Sequence, residues 1–502
     1  VRLQRRASVA RRSGLKLGSL VLAGICSTCQ LIGDIGDRSI APHDGGGGSA
    51  GSSSGGEAGY GGSSAGAAGV SSGGARADGA AGAAGSGGGP LAHEQSKLFK
   101  ADEFQFLHDL SVDINNNQVL LTGHFRGTLP FGNGTPPLVG DIQEGDLFVA
   151  RLSPQLAALW SRRIATENAP GDRAIIAPGP LGRTVLGIGI NGEVNLGSSK
   201  VYPGPSRDVF LAMFGVDGNV EWAGRWGDGT EQTLLAFAVG TGEIALAGST
   251  ADTLDFGGTT QPVVSTTYLA GITLDGDPKW TRAFPGCADM KLSAVAWGPN
   301  GDLALAGSFM GTCDLGDGWV IDSTPPKQDC FAARLSSGVI TWAATTGATF
   351  CVAGDVDVGP SNEIVLAGTF SGHIPLLPAW DSLSTEVFGV AWSLAGGKLW
   401  GAALESYGPD AAESIDIDPV GDAVLSGTFD NTLLAGKLSG ADGGLLWKAL
   451  FQTKDALATG SRAAFNGSGQ IVTGGTMSLP LDLGGGLLVP NDNDIFVATY
   501  SP

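Results

Sequence analysis

Past residue 29 the sequence holds four cysteines, Cys287, Cys313, Cys330 and Cys351, separated by 26, 17 and 21 residues. No C-x-x-C occurs among them, so the spacing that lets two thiolates reach one zinc ion is missing. An even count of cysteines is the arithmetic of disulfides in a protein that leaves the cytosol. Cys313 follows one short apolar run and Cys330 opens the next, so they can meet across the intervening loop. Cys287 and Cys351 stand at matching places one repeat apart. The expected pairs are therefore Cys313 with Cys330 and Cys287 with Cys351. Three aspartate pairs, Asp355/Asp357, Asp416/Asp418 and Asp492/Asp494, have i, i+2 spacing, which on a strand puts both carboxylates on one side. Such a pair could share a calcium ion, but the ligand series of a calcium loop is lacking. The expectation is solvated acids at turns and strand ends, with no metal.

The five histidines, His43, His93, His108, His124 and His373, are scattered. No H-E-x-x-H, nucleophile elbow or phosphate loop accompanies them. No catalytic residues are assigned, and no organic cofactor is expected.

These residues sit on a repeat. An apolar run ending in glycine recurs seven times, at Gly123, Gly189, Gly248, Gly307, Gly368, Gly427 and Gly475, with intervals of 66, 59, 59, 61, 59 and 48 residues. The runs are short, rich in β-branched residues and bounded by turns, which is strand patterning and not helix patterning. Downstream comes a second motif, Asp-x-Phe-apolar-Ala, as in DLFVARL from Asp146 and DIFVATY from Asp494. A glycine turn then leads to a tryptophan: Trp160, Trp222, Trp280, Trp342, Trp400 and Trp447. Four short antiparallel strands (A to D) per unit, repeated at this period, describe the blades of a propeller. The tryptophans are expected between blades, and the aspartate is expected to hold a loop through backbone N–H groups. The seventh unit has no tryptophan strand before Pro502. Residues 96–101 are therefore expected to complete it and close the ring. Blade 6 has almost no B–C loop (Asp430-Asn431), whereas most others have 15–20 residues there. Trp319, Trp380 and Tyr202 fall in those long loops. An aromatic on a rigid scaffold could stack on a sugar or anchor a protein, so these three are the candidate ligand-binding residues.

The GNVEW turn, the GTF marks, the D-x-F-V-A strand and Asp255-Phe256-Gly257-Gly258 resemble bacterial seven-bladed propeller repeats of the SBBP type, over residues 104–502. The resemblance implies an all-β, single seven-bladed propeller of four-stranded antiparallel blades in an exported or surface protein. It implies no particular activity.

The rest of the chain fits that plan. Residues 1–29 carry six basic and no acidic residues around a short apolar stretch, Leu17 to Ile25. Nine residues are too few to span a bilayer, so this is the pattern of a signal peptide. Part of it resembles a twin-arginine motif (Arg11-Arg12). Leu22-Ala23-Gly24-Ile25-Cys26 resembles a lipobox one residue too long, which makes Cys26 or Cys29 the candidate for a lipid anchor. Residues 30–92 include a Gly/Ser/Ala tract with little to bury, expected as a disordered linker, and 93–502 form the propeller. The net charge of −20 argues against nucleic-acid binding and against docking on an anionic membrane. The sequence thus predicts a noncatalytic, monomeric, exported binding or scaffold module for an extracellular protein or glycan. It would reside in the periplasm, at the cell surface or outside the cell, without a transmembrane span. The alternative is a glycan-acting hydrolase or lyase whose acidic residues gather from several blades.

Overall fold

The computed structural model describes residues 91–501, except 168–172, 198–199, 202–205, 228–229, 258–261, 265, 288, 324–326, 378–380, 405–407, 409, 431 and 452–458. The leader, nearly all of the linker, Cys26, Cys29, Tyr202 and Trp380 lie outside the described residues. Seven antiparallel sheets form the blades. Blade 1 contains Gln105–Asp113, Gln118–Phe125, Asp146–Leu152 and Ala158–Thr166 as strands A to D. Blades 2 to 6 begin with their A strands at Ile175–Gly179, Gln232–Val239, Lys291–Trp297, Phe350–Val358 and Ala411–Ile417. Blade 7 has strands A to C at Thr459–Phe465, Ile471–Met477 and Asp494–Ser501. Its outer strand is Ala92–Phe99, paired antiparallel to Asp494–Ser501, so the sheet order mixes both ends of this region. That strand starts earlier than the expected 96–101. Strand A of every blade lies against strand A of the next, all the way round the axis. No helix among the described residues is long and apolar enough to cross a membrane.

The repeat motifs have direct physical causes. Strand C is buried along nearly its whole length, because each blade packs on both faces, which is why it reads as one apolar run. The marker glycine pairs with the strand C aromatic: Gly123 with Phe148, Gly248 with Tyr268, Gly307 with Phe331, Gly368 with Phe388 and Gly475 with Phe496. On its other side strand A bulges. A Cβ at Gly123 would stand 1.9 Å from the Phe106 carbonyl oxygen, and one at Gly427 1.9 Å from that of Ala411. Only glycine fits between a bulge and an aromatic ring.

The strand D tryptophans pack under the C–D turn of the next blade. Trp160 lies against Gly218, Trp342 against Gly396 and Trp400 against Gly443. The indole N–H groups of Trp342 and Trp400 donate to Leu394 O and Gly440 O, both at 3.0 Å. The aspartate that opens strand C ties down the start of the next connection. Asp329 accepts from the backbone N–H groups of Cys330, Gly347 and Ala348 and from the Thr346 hydroxyl. The B–C loops fold into small hairpins such as Gly311–Gly316 with Trp319–Ser323.

The disulfide pairing differs from the expectation. Cys330 is bonded to Cys351, with Cα atoms 5.5 Å apart, and neither Cys313–Cys330 nor Cys287–Cys351 is present. The reason is strand alternation. Cys330 faces the apolar layer between blades 4 and 5, where Cys351 lies. Cys313 faces the layer between blades 3 and 4, together with Cys287.

Candidate functional site

Just past the strand A bulge, one residue pairs with the neighbour preceding the marker glycine. This axial position is held by Asp109 in blade 1, Ala236 in blade 3, Ala294 in blade 4, Asp355 in blade 5, Ser414 in blade 6 and Arg462 in blade 7. Two residues on, blades 5 and 6 add Asp357 and Asp416, whereas blades 3 and 4 add Ala238 and Ala296. The acids reach across to the next blade's backbone. Asp109 accepts from Ile176 N–H at 2.9 Å, Asp355 from Ile415 N–H at 3.2 Å, Asp357 from Ile417 N–H at 2.8 Å and Asp416 from Phe465 N–H at 2.5 Å. Two arginines join them. Arg462 Nε lies 3.3 Å from Asp109 and its Nη1 4.0 Å from Asp355. Arg173 donates to His108 O at 2.5 Å and lies 3.9 Å from Glu413. Arg173 keeps 40% of its side chain exposed, so the axis is open to solvent there.

Desolvation dominates the ionisation of these groups. Burial pushes Asp355 and Asp416 up to about 6, and burial plus Asp416 pushes Asp357 well above the carboxylate range. Burial, with Arg462 beside it, lowers Arg173 to about 10.

On the side of blade 1 the two scattered histidines meet. His108 fills the bulge, and His124 follows marker Gly123, where blade 2 carries Ile190 and blades 3 to 7 carry Ser or Thr. Those hydroxyls accept a backbone N–H from the next blade: Ser308 from Ala353, Thr369 from Ala412 and Thr476 from Leu107. In blade 1 the same task falls to His108 Nδ1, which accepts from Ala174 N–H at 3.0 Å. That fixes the tautomer. His108 Nε2 must carry the proton and donate to His124 Nδ1, 2.8 Å away. His124 then carries its own proton on Nε2, which has no protein partner among the described residues. Burial, with Arg126 adding to it, lowers His124 to about 4, so the ring is neutral at pH 7. Phe106 stacks on it at 5.9 Å with an interplanar angle of 9°, and Phe104 lies 5.3 Å away. Both phenyl rings are partly exposed, and Arg126 is exposed. Strand A leaves and strand B returns to the face that carries the D–A and B–C loops. Phe104, Phe106, His124, Arg126 and Arg173 therefore share one rim of the axial opening.

Of the sequence-derived acids, Asp355, Asp357 and Asp416 lie at this axis, partly buried within strands A and bound to the next blade's backbone, and not as solvated acids at turns; the other candidates lie elsewhere. Trp319 is partly buried in the blade 4 hairpin and packs against the apolar layers on both sides of that blade. Asp418 sits in a turn, held by Val420 N–H, Asp422 N–H and Lys437 at 2.9 Å. Asp494 opens strand C of blade 7 and accepts from Gln105 at 2.7 Å, while Asp492 is exposed. No group of three or more His, Cys, Asp or Glu side chains suited to a metal ion occurs among the described residues. The histidine pair was missed because 16 residues separate the two. The signal was GHF at Gly123, where blades 4, 5 and 6 read GSF or GTF and no other blade has a histidine.

No protein-family model matches the chain, so the likeness to SBBP-type repeats stands at the level of a seven-bladed propeller. No curated protein matches it either. Among solved structures it is similar to the polysaccharide lyase Uly1, at 9% identity and a TM-score of 0.47, covering 82% of this chain and 99% of that one. It is also similar to virginiamycin B lyase from Staphylococcus aureus, at 10% identity and a TM-score of 0.41, covering 80% and 99%. The propeller of Dos1 matches at 8% identity and a TM-score of 0.42, covering 81% and 95%. Similarity at this level describes the fold alone.

Proposed function

We propose that the chain is an exported, noncatalytic propeller that binds a glycan at the blade 1 rim of its axial opening. The observation that carries this reading is the locked tautomer of His124. Its Nε2–H is a permanent donor, and its Nδ1 is occupied by a proton from His108. A shift of that proton chain would require the Ala174 backbone amide to give up its hydrogen, so His124 is a recognition group and not a base. Phe104 and Phe106 supply faces for the C–H surface of a sugar ring, and Arg126 and Arg173 supply charged donors for hydroxyl or carboxylate oxygens. The Cys330–Cys351 bond supports export, because such bonds persist in oxidising compartments. The leader over 1–29, the linker over 30–92 and lipid attachment at Cys26 or Cys29 belong to the same proposal.

The test is a glycan array on the full chain, followed by calorimetry with the best oligosaccharide. Phe106→Ala and His124→Thr are each expected to weaken binding at least tenfold; threonine restores the residue of other blades. Equal binding by both variants and the parent would remove the rim as the site.

The meeting of Asp109, Asp355 and Glu413 with two arginines favours a second reading, a glycan-cleaving enzyme. Its measure is the release of unsaturated uronates or new reducing ends from polyuronates, lost in Asp355→Asn. Against it, Asp109 and Asp355 are engaged by the neighbouring blade's amides.

A further inference from the structure

Cys287 and Cys313 are both buried, at 3% and 0% exposure, in the apolar layer between blades 3 and 4. Cys287 lies in the connection leaving blade 3, in a turn closed by its N–H to Phe284 O at 3.2 Å. Cys313 lies on the inner strand of the blade 4 hairpin, opposite Ile321. The two backbones abut. A Cβ on Gly286 would stand 3.4 Å from the Asp314 Cβ, and Cys287 Sγ lies 3.8 Å from Asp314 O. The two thiols adjoin, and each shifts the other's ionisation. Phe284, Phe309, Leu315 and Ile321 share their layer and offer neither thiol a role in binding or catalysis.

From this juxtaposition we infer that Cys287 and Cys313 form a second disulfide, which staples blade 3 to blade 4 as Cys330–Cys351 staples blade 4 to blade 5. Blade 4 is then fixed covalently on both faces. The bond forms by thiol–disulfide exchange with a disulfide-bearing oxidant. Cys287 Sγ, as thiolate, attacks one sulfur of the oxidant and expels its other sulfur as a thiolate. Cys313 then loses its proton and attacks Cys287 Sγ, releasing the second oxidant sulfur. Two electrons pass to the oxidant, which leaves as a dithiol carrying the two protons. The nearness of the two sulfurs lowers the Cys287 pKa and raises that of Cys313, so Cys287 attacks first. The exchange belongs to the last stage of folding, when the two segments have met but the layer between the blades has not yet closed over both sulfurs.

Trypsin separates the four cysteines completely. Cleavage after Arg282, Lys291, Lys327, Arg334 and Lys398 places them in 283–291, 292–327, 328–334 and 335–398. The full chain, produced through an oxidising export route, is denatured with an alkylating reagent, digested without reductant and weighed. The expected result is a cross-linked species of 283–291 with 292–327, two hydrogens lighter than the sum of its parts, beside one of 328–334 with 335–398. After Cys313→Ser, peptide 283–291 is expected to appear fully alkylated while the second cross-link stays. Alkylation of both 283–291 and 292–327 in the parent protein overturns the inference. So does a cross-link from either peptide to 328–334 or 335–398.

Discussion

Two arcs of the ring hold their blades together by different means. From blade 5 through blade 7 to blade 2, axial side chains bridge to the backbone of the following blade: Asp355, Asp357, Ser414, Asp416 and Asp109 all accept N–H groups there. In blades 3 and 4 the same positions hold Ala236, Ala238, Ala294 and Ala296, which have no oxygen to offer. There the inner ties are the Trp297 indole N–H on Ala238 O at 3.2 Å and the Ser308 hydroxyl accepting from Ala353 N–H at 2.9 Å. The stronger ties move outward, to Arg282 on Asp317 at 2.8 Å and to the Cys330–Cys351 bond. One bulged backbone thus serves two designs. The polar arc leaves charged groups facing an open axis, and the apolar arc is packed and stapled. Binding chemistry belongs to the first and rigidity to the second.

The largest test falls on the polar arc. Arg151 and Asp113 form an ion pair with side-chain exposures of 2% and 3%, and Arg151 also donates to Gly182 O and Thr184 of blade 2. Removing one partner strands a buried charge, so Asp113→Ala is expected to cost about 3–5 kcal/mol in urea unfolding. A loss below 1 kcal/mol would mean that the polar arc does not rely on its buried ions. Next comes the staple of the apolar arc. Cys330→Ser with Cys351→Ser opens a bridge of sequence separation 21, expected to cost about 3 kcal/mol. An unchanged midpoint would show that alanine packing alone holds blades 4 and 5.

The blades were legible in the sequence because their causes are local. Gly123 and Phe148 pair directly, and Trp160 meets Gly218 in the very next blade. The axial cluster was illegible because it is assembled across the ring: Arg462 meets Asp109 and Arg173 meets Glu413, pairs that sequence distance hides. The cysteines failed for a subtler reason. Cys313 and Cys330 are near neighbours in one blade, yet strand alternation sends them to opposite faces. Trp319 shows that an aromatic in a loop need not await a ligand. Its ring fills space on both sides of blade 4, so Trp319→Ala is expected to cost about 2 kcal/mol of stability and leave glycan binding at the rim unchanged.

The smallest and most discriminating effect is in pH dependence, where the polar arc holds titrations of opposite sign. Asp416, beside Asp357 and near Asp355, is raised from 3.8 to about 6. The folded state therefore binds the proton more tightly than the unfolded chain. Its contribution is full below about pH 4 and is lost as pH rises through 6. His124, beside His108 and Arg126, is lowered from 6.5 to about 4. Here the unfolded chain takes the proton first, so stability is full above 6.5 and falls as pH drops toward 4. In the parent the two slopes oppose each other, with Asp355 and Asp357 adding to the first and His108 to the second. Asp416→Asn reduces the first, and its stability relative to the parent is expected to fall by about 1–2 kcal/mol between pH 7 and 4.5. His124→Thr reduces the second, and its relative stability is expected to rise by a similar amount over the same interval. Thermal melts of the three proteins across that interval measure both slopes. Parallel curves would mean that the axis is wet enough to cancel the burial of these groups, and with it the physical distinction between the two arcs.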